Sequence, residues 1–335
     1  MTNRRYEELR KNIVVSVGLA AAIFTGAASA AEPVMLAVKD SQSGQINVSE
    51  AGQPVLRYNY QTIKPPEGFV EKVSTNARKY AVPRSNYIHP LYGPDGEVLT
   101  EDFSKDHPHH RGIYWAWPEV DFGKERGDLH ALQHVFARPT GKIKLTNGDR
   151  FAQVEAENRW LWQDVTPIVR ETVVIRAWRS GEHGRHIDLT FRFIAIEDNV
   201  TIARRGTKAY GGLNIRLSPV KGLKLIHHAG PPNVQPRRAW SDSIGIRHGG
   251  TKSVGMAVFE STTNPHYPGD YVQYPNLPWF QPTFPKTGVR YPLKKSEPLE
   301  LRYRLWIRGG GQATEAVYEK HWRQYNELSD SPRKE

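Results

Sequence analysis

Alternation of apolar and polar residues dominates this chain. Residues 187–193 set Ile187, Leu189, Phe191 and Phe193 on one face and Asp188, Thr190 and Arg192 on the other. Residues 299–307 repeat the pattern over nine positions. A period of two is the mark of a strand, because successive Cβ atoms point to opposite sides. One apolar and one polar face implies antiparallel sheets wetted on one side. Similar composition predicts strands over 34–38, 55–60, 112–117, 135–138, 151–162, 168–178, 200–203, 213–217 and 254–259. Turn sequences at 147–149 and 180–182 punctuate them. A single helix is predicted over 313–325, where Tyr318, Trp322 and Tyr325 fall near one face after a run of three glycines. Strands first and one terminal helix predict an all-β fold, a large antiparallel β-sandwich with a short C-terminal helix. The proline-rich stretches 80–106 and 265–291 predict long loops, of the kind that carry or cover a site.

The first thirty residues depart from this pattern. Arg4, Arg5, Arg10 and Lys11 precede an uncharged apolar run over 13–28, and Ala28-Ser29-Ala30 supplies the small residues read by a signal peptidase. This layout predicts a secretory signal over 1–30, a single domain over 31–335, and a periplasmic or secreted protein. Arg4-Arg5 also suggests twin-arginine export, although the residues after the pair fit that motif poorly. The apolar run is barely long enough to span a bilayer, and no later segment matches it, so no stable membrane insertion is expected after cleavage. The chain has no cysteine, which excludes disulfides, thiolate ligands and a cysteine nucleophile. Its formal charge is +11; residues 1–30 hold four basic and two acidic groups, so the remainder carries +9. That balance favours an anionic partner or merely keeps the surface soluble. Export argues against nucleic acid.

Candidate chemistry concentrates in Asp106-His107-Pro108-His109-His110-Arg111-Gly112, which holds three of the thirteen histidines. Imidazole changes charge near neutral pH and also ligates metals. The expectation is that His109 or His110 acts as acid or base, with Asp242, between Ser241 and Ser243, as the opposing carboxylate. Asp106 is a further acid that could hold a histidine in one tautomer. His107 and Arg111 are expected to touch the substrate. His107, His109 and His110 are the alternative ligands for a divalent metal, but no carboxylate of metalloenzyme spacing accompanies them, so the leading reading needs no cofactor. Trp115 and Trp117 share one side of their strand and offer flat faces for a sugar ring, although such a stripe more often packs a core. Asn214 and Arg216 share a polar face that either grips hydroxyls and carboxylates or is simply solvated. Residues 264–270 and 279–282 read as the rim of a groove, with His266 against the substrate. His227-His228 reads as structural. Walker, dinucleotide, GxSxG and HExxH motifs are absent.

Five segments carry a resemblance: Tyr87-Ile88-His89-Pro90-Leu91-Tyr92, the histidine segment 106–112, Tyr210-Gly211-Gly212-Leu213, Trp240-Ser241-Asp242 and Asn264-Pro265. In this order they resemble a bacterial family of unknown function labelled PmoA, or methane oxygenase PmoA. The label implies a copper oxygenase of the membrane, whereas the pattern here is that of an exported soluble sandwich. The overall pattern is also similar to the galactose-mutarotase-like supersandwich. That similarity implies histidines and a carboxylate at a sugar's anomeric carbon, here His109 or His110 with Asp242 or Glu260. The leading expectation is thus a secreted protein acting on a glycoside or polysaccharide fragment by hydrolysis, lyase action or epimerisation. The alternatives are a non-catalytic glycan-binding module and a metal-dependent oxidoreductase.

Overall fold

The structure, a computed structural model, describes residues 34–274 and 276–330; the leader expected over 1–30 lies outside them, as do the side chains of 328–330. Its strands form three antiparallel sheets. The first sheet runs, in spatial order, Met35–Asp40, Gln45–Glu50, Gln53–Asn59, Tyr87–Leu91, Ile113–Ala116, Gly212–Arg216, Trp279–Pro282 and Tyr271–Gln273. The second runs Val220–His228, Trp240–Arg247, Ser253–Glu260, Leu299–Gly309, Arg185–Ala195, Thr166–Trp178, Phe151–Trp162 and Val135–Thr146. A small third sheet joins Arg290–Pro292, Val200–Ala203, Glu119–Phe122 and Glu125–Gly127.

The long strands of the second sheet form where the alternation is cleanest. Phe151–Trp162, Thr166–Trp178 and Arg185–Ala195 alternate buried with partly exposed residues over most of their length. Their inward residues, among them Val154, Val173, Leu189 and Phe191, meet Ile46, Leu56, Tyr58 and Trp115 of the first sheet in one core. Trp115 and Phe191 lie 4.2 Å apart across this seam, a contact worth about 0.5–1.5 kcal/mol beyond its buried area. The seam also holds one carboxylate. Glu171, fully buried, accepts N–H bonds of 2.6 Å from Asn86, Trp115 and Trp160. The architecture is the all-β sandwich that the period-two pattern implies.

The outer face of the second sheet is only partly wetted. Along Ser253–Glu260 and Leu299–Gly309 residues on both faces are buried. The helix Glu315–Asp330, starting and ending later than the predicted 313–325, covers that side. Tyr318, Trp322 and Tyr325 pack there on Trp240, Ala257, Phe259 and Trp306.

Both stretches expected to be loops contribute strands. Tyr87–Leu91 lies inside the first sheet despite Pro90, and its ladder to Ile113–Ala116 consists of the single pair Ile88–Ile113. A missing N–H costs little where so few bonds exist to lose. Trp279–Pro282 and Tyr271–Gln273 finish the sheet at its other edge. The described residues form one compact unit, and no described helix is long and apolar enough to cross a membrane.

Candidate functional site

Gly112 decides how the histidine segment enters the sheet. Its φ is +59°, and a Cβ there would lie 2.2 Å from the carbonyl oxygen of Ile88. Only glycine accepts both the left-handed backbone and that approach. Its N–H donates to Glu101 O at 2.7 Å. Just before it, the His110 N–H and the Ser104 hydroxyl both donate to His107 O, at 2.9 and 3.0 Å. This tight turn stacks the His107 and His110 rings, 4.7 Å apart and 16° from parallel, and sets His109 4.6 Å from His110.

A second turn brings in a fourth imidazole. Asp128 and Gln133 exchange backbone bonds of 2.7 and 2.8 Å, and Asp128 Oδ1 accepts the Ala131 N–H. Arg84 Nη2 donates to the carbonyls of Leu129 and His130, both at 2.7 Å. So held, the buried His130 ring lies 5.1 Å from His109 and 5.4 Å from His110. One ring nitrogen from each of His109, His110 and His130 falls within 4.8 Å of the others.

These rings open into a pocket of about 630 Å³. Asp106, His107 and Arg205 add polar groups to its wall, and Tyr80, Tyr210, Tyr274 and Trp279 add aromatic faces. Tyr274, 41 % exposed, stacks on Trp279 at 5.4 Å. The volume and the mixed lining are those of a small-molecule site.

The four imidazoles differ in character. His107 is half-exposed, and its Nδ1 lies 3.1 Å from Asp106 Oδ2. Burial opposes ionisation of Asp106, but the His107 bond, the Arg216 charge and Ser104 outweigh it and hold the carboxyl well below its usual range. Burial pushes His109 down to about 3, with the Arg84 charge adding to it. Burial likewise drives His110 and His130 well below the ordinary imidazole value, and the neighbouring rings reinforce it. Burial thus favours the uncharged ring in all three, and a neutral imidazole keeps one lone pair.

Other expected site residues lie elsewhere or act indirectly. Asp242 is not among the pocket residues. It is fully buried on the second sheet, where Arg308 donates to it at 2.6 Å and the Tyr318 hydroxyl donates to the same oxygen. It pins the C-terminal helix and cannot oppose His109 or His110 as expected. Glu260 is also buried outside the pocket; it accepts the Gly269 N–H at 2.8 Å, and burial pushes it up to about 7. Arg111 is buried between the rings of Phe103 and Tyr87 and paired with Asp102, so it holds the loop rather than a ligand. Trp115 and Trp117 point into the core, their indole N–H groups satisfied by Glu171 and by Phe284 O. His266 is exposed on another loop, accepting the Lys286 N–H and stacking on Phe284.

Asn214 and Arg216 lie neither on a solvated face nor in the pocket lining, but directly behind it. Arg216 donates to Glu101 at 2.8 Å and to both oxygens of Asp106 at 2.9 and 3.1 Å. The Asn214 amide donates to Gly212 O, and its Oδ1 accepts from Gln281 at 2.6 Å, so that oxygen can only accept. It lies 3.2 Å from His130 Nε2, with the Tyr114 hydroxyl 2.9 Å from the same nitrogen. With Nε2 protonated, the ring donates to Asn214 and keeps its lone pair on Nδ1. Of the pocket residues missing from the sequence reading, His130 had no local signal, while Tyr80 stood at the start of the predicted loop 80–106. Trp279 lay in the rim segment 279–282, and Tyr210 stood before the glycine pair.

No curated protein sequence matches the chain. Among solved structures, a putative kojibiose phosphorylase from human microbiome superposes with a TM-score of 0.35 and 8 % identity, covering 90 % of this chain and 37 % of that one. This chain thus spans little more than a third of that protein, and so loose a superposition transfers nothing from it. The profile of a family of unknown function, DUF6807, matches residues 45–323, most of the described sandwich, and the chain belongs to that family.

Proposed function

We propose that the chain is an exported enzyme that binds a glycoside or oligosaccharide fragment in the aromatic-walled pocket and moves a proton with His107. One observation carries this reading: an acid-backed, solvent-accessible imidazole shares a pocket with the stacked Tyr274 and Trp279 rings. Aromatic faces suit the C–H faces of a sugar ring. The clamp from Arg216 fixes Asp106, and Asp106 holds His107 by Nδ1, which leaves Nε2 to give or take the proton. Arg205, half-exposed on the pocket wall, is already paired with Asp128, so the reading does not depend on an anionic sugar. The leader pattern over 1–30 supports a periplasmic or secreted location. The similarity of the sequence pattern to mutarotase-like sandwiches supports carbohydrate as the ligand class.

The test is product formation by the purified chain on a panel of neutral and acidic oligosaccharides. Wild type is expected to convert at least one of them. Positioned acid–base groups contribute about 10²–10⁴ in rate, so His107→Ala is expected to lower kcat by that factor and Asp106→Asn by somewhat less. Saturable binding without conversion, equal in wild type and His107→Ala, would instead make this a glycan-binding module.

A further inference from the structure

We infer that His109, His110 and His130 form a binding site for one divalent first-row transition-metal ion, with Asn214 holding the His130 ring in ligating orientation. The site goes beyond the glycan reading and stands whether or not the pocket takes a sugar. Three observations carry it. The three rings present nitrogens within 4.8 Å of one another, although they come from two separate turns. His109 Nδ1 and His110 Nδ1 are buried and have no hydrogen-bond partner. Buried polar atoms are normally satisfied, and a metal ion is one partner that would satisfy nitrogens presenting lone pairs. Nε2 of His130 lies 3.2 Å from Asn214 Oδ1, and that amide is itself fixed by Gln281 and Gly212 O. Such a bond from the second ring nitrogen to an oxygen is the usual support of a metal-bound histidine.

The donor set selects the ion. Three neutral imidazoles suit zinc, copper, cobalt, nickel or iron, while calcium and magnesium need oxygen ligands that this cluster does not offer. Bonds of about 2.0–2.1 Å in a tetrahedral site place nitrogens roughly 3.4 Å apart, so the rings need to close by about 1 Å or a little more. The nearest carboxylate on the wall, Asp106, is engaged by Arg216 and His107. Three protein ligands and a position facing the pocket make an open site, in which water or a ligand oxygen takes the fourth place.

The test uses the full chain without an affinity tag, stripped by a chelator. Copper(II) is titrated and followed by electron paramagnetic resonance, cobalt(II) by visible absorption, and calcium serves as the hard-ion control. One equivalent of copper split by bound imidazole nitrogens, an intense cobalt band and no calcium uptake are expected. His130→Ala is expected to weaken copper binding by about 100-fold or more, Asn214→Ala by about 10–100-fold, and His107→Ala by less than about 3-fold. Circular dichroism verifies that each variant is folded. If His130→Ala does not fold, the wild-type copper spectrum and the His107→Ala titration still decide. No ion bound by wild type at micromolar concentration overturns the proposal, as does binding undiminished in folded His130→Ala. Loss in His107→Ala would move the site to His107, His109 and His110. Sugar binding by the stripped chain is measured alongside, so failure of the metal site and failure of the glycan reading are told apart.

Discussion

Single side chains in this protein are decided by what they can bond once buried. Arg111 and Asp242 read in the sequence as groups waiting for a ligand, but their charges are spent on Asp102 and on Arg308. A partner 66 residues away, as Arg308 is from Asp242, leaves no local trace. Glu171 makes the same point in the core, where one oxygen accepts from Asn86 and Trp115 and the other from Trp160. An amide has one accepting oxygen and one donating nitrogen, so Glu171→Gln sets an N–H against the indole N–H of Trp160. Leaving a buried donor unmatched costs about 1–3 kcal/mol. The urea midpoint of Glu171→Gln is expected to fall accordingly, and an unchanged midpoint would mean that the three bonds contribute nothing net.

Elements show which patterns are legible and which are not. Phe151–Trp162 and Arg185–Ala195 were readable because alternation is a local rule repeated over a dozen residues. Tyr87–Leu91 and Trp279–Pro282 were not, because they are short, contain proline and are placed by long-range neighbours. The terminal helix was legible as a helix, but its docking was not. His321 on the helix and His186 on the strand beneath lie 3.1 Å apart, ring nitrogen to ring nitrogen. Burial, aided by the Arg304 charge, pushes His186 down to about 3 and His321 to about 4, from an ordinary 6.5. The unfolded chain therefore takes up these protons first as pH falls. Stability from the pair is whole above pH 6.5 and declines below it, until the folded values near 4 and 3 are passed. Each histidine contributes a slope of up to about 1.4 kcal/mol per pH unit. Urea midpoints at pH 8 and pH 5 are expected to differ less in His321→Gln than in wild type. Equal differences would show that the pair does not couple helix docking to pH.

At the scale of the whole molecule, the sandwich serves to bring distant turns to one cleft. The histidine segment was legible as a site because its density is unusual in any fold. Its fourth imidazole, His130, was not, because only the packing of the 128–133 turn under Arg84 carries it there. Asn214 and Arg216 were recognised as a pair, yet they act one layer behind the pocket, orienting His130 and Asp106. The same frame explains why the aromatic wall comes from Tyr274 and Trp279 at the sheet's edge and not from Trp115 and Trp117, which the inter-sheet core consumes. The central claim is that this cleft, and no other, is where the ligand sits. Soaking crystals of the chain with the oligosaccharide panel tests it most directly. Sugar density is expected against the outer face of Tyr274, with a hydroxyl or glycosidic oxygen beside His107. Density confined to another large cleft, such as the one beside His89, Glu97 and His248, with this pocket empty, would contradict the account.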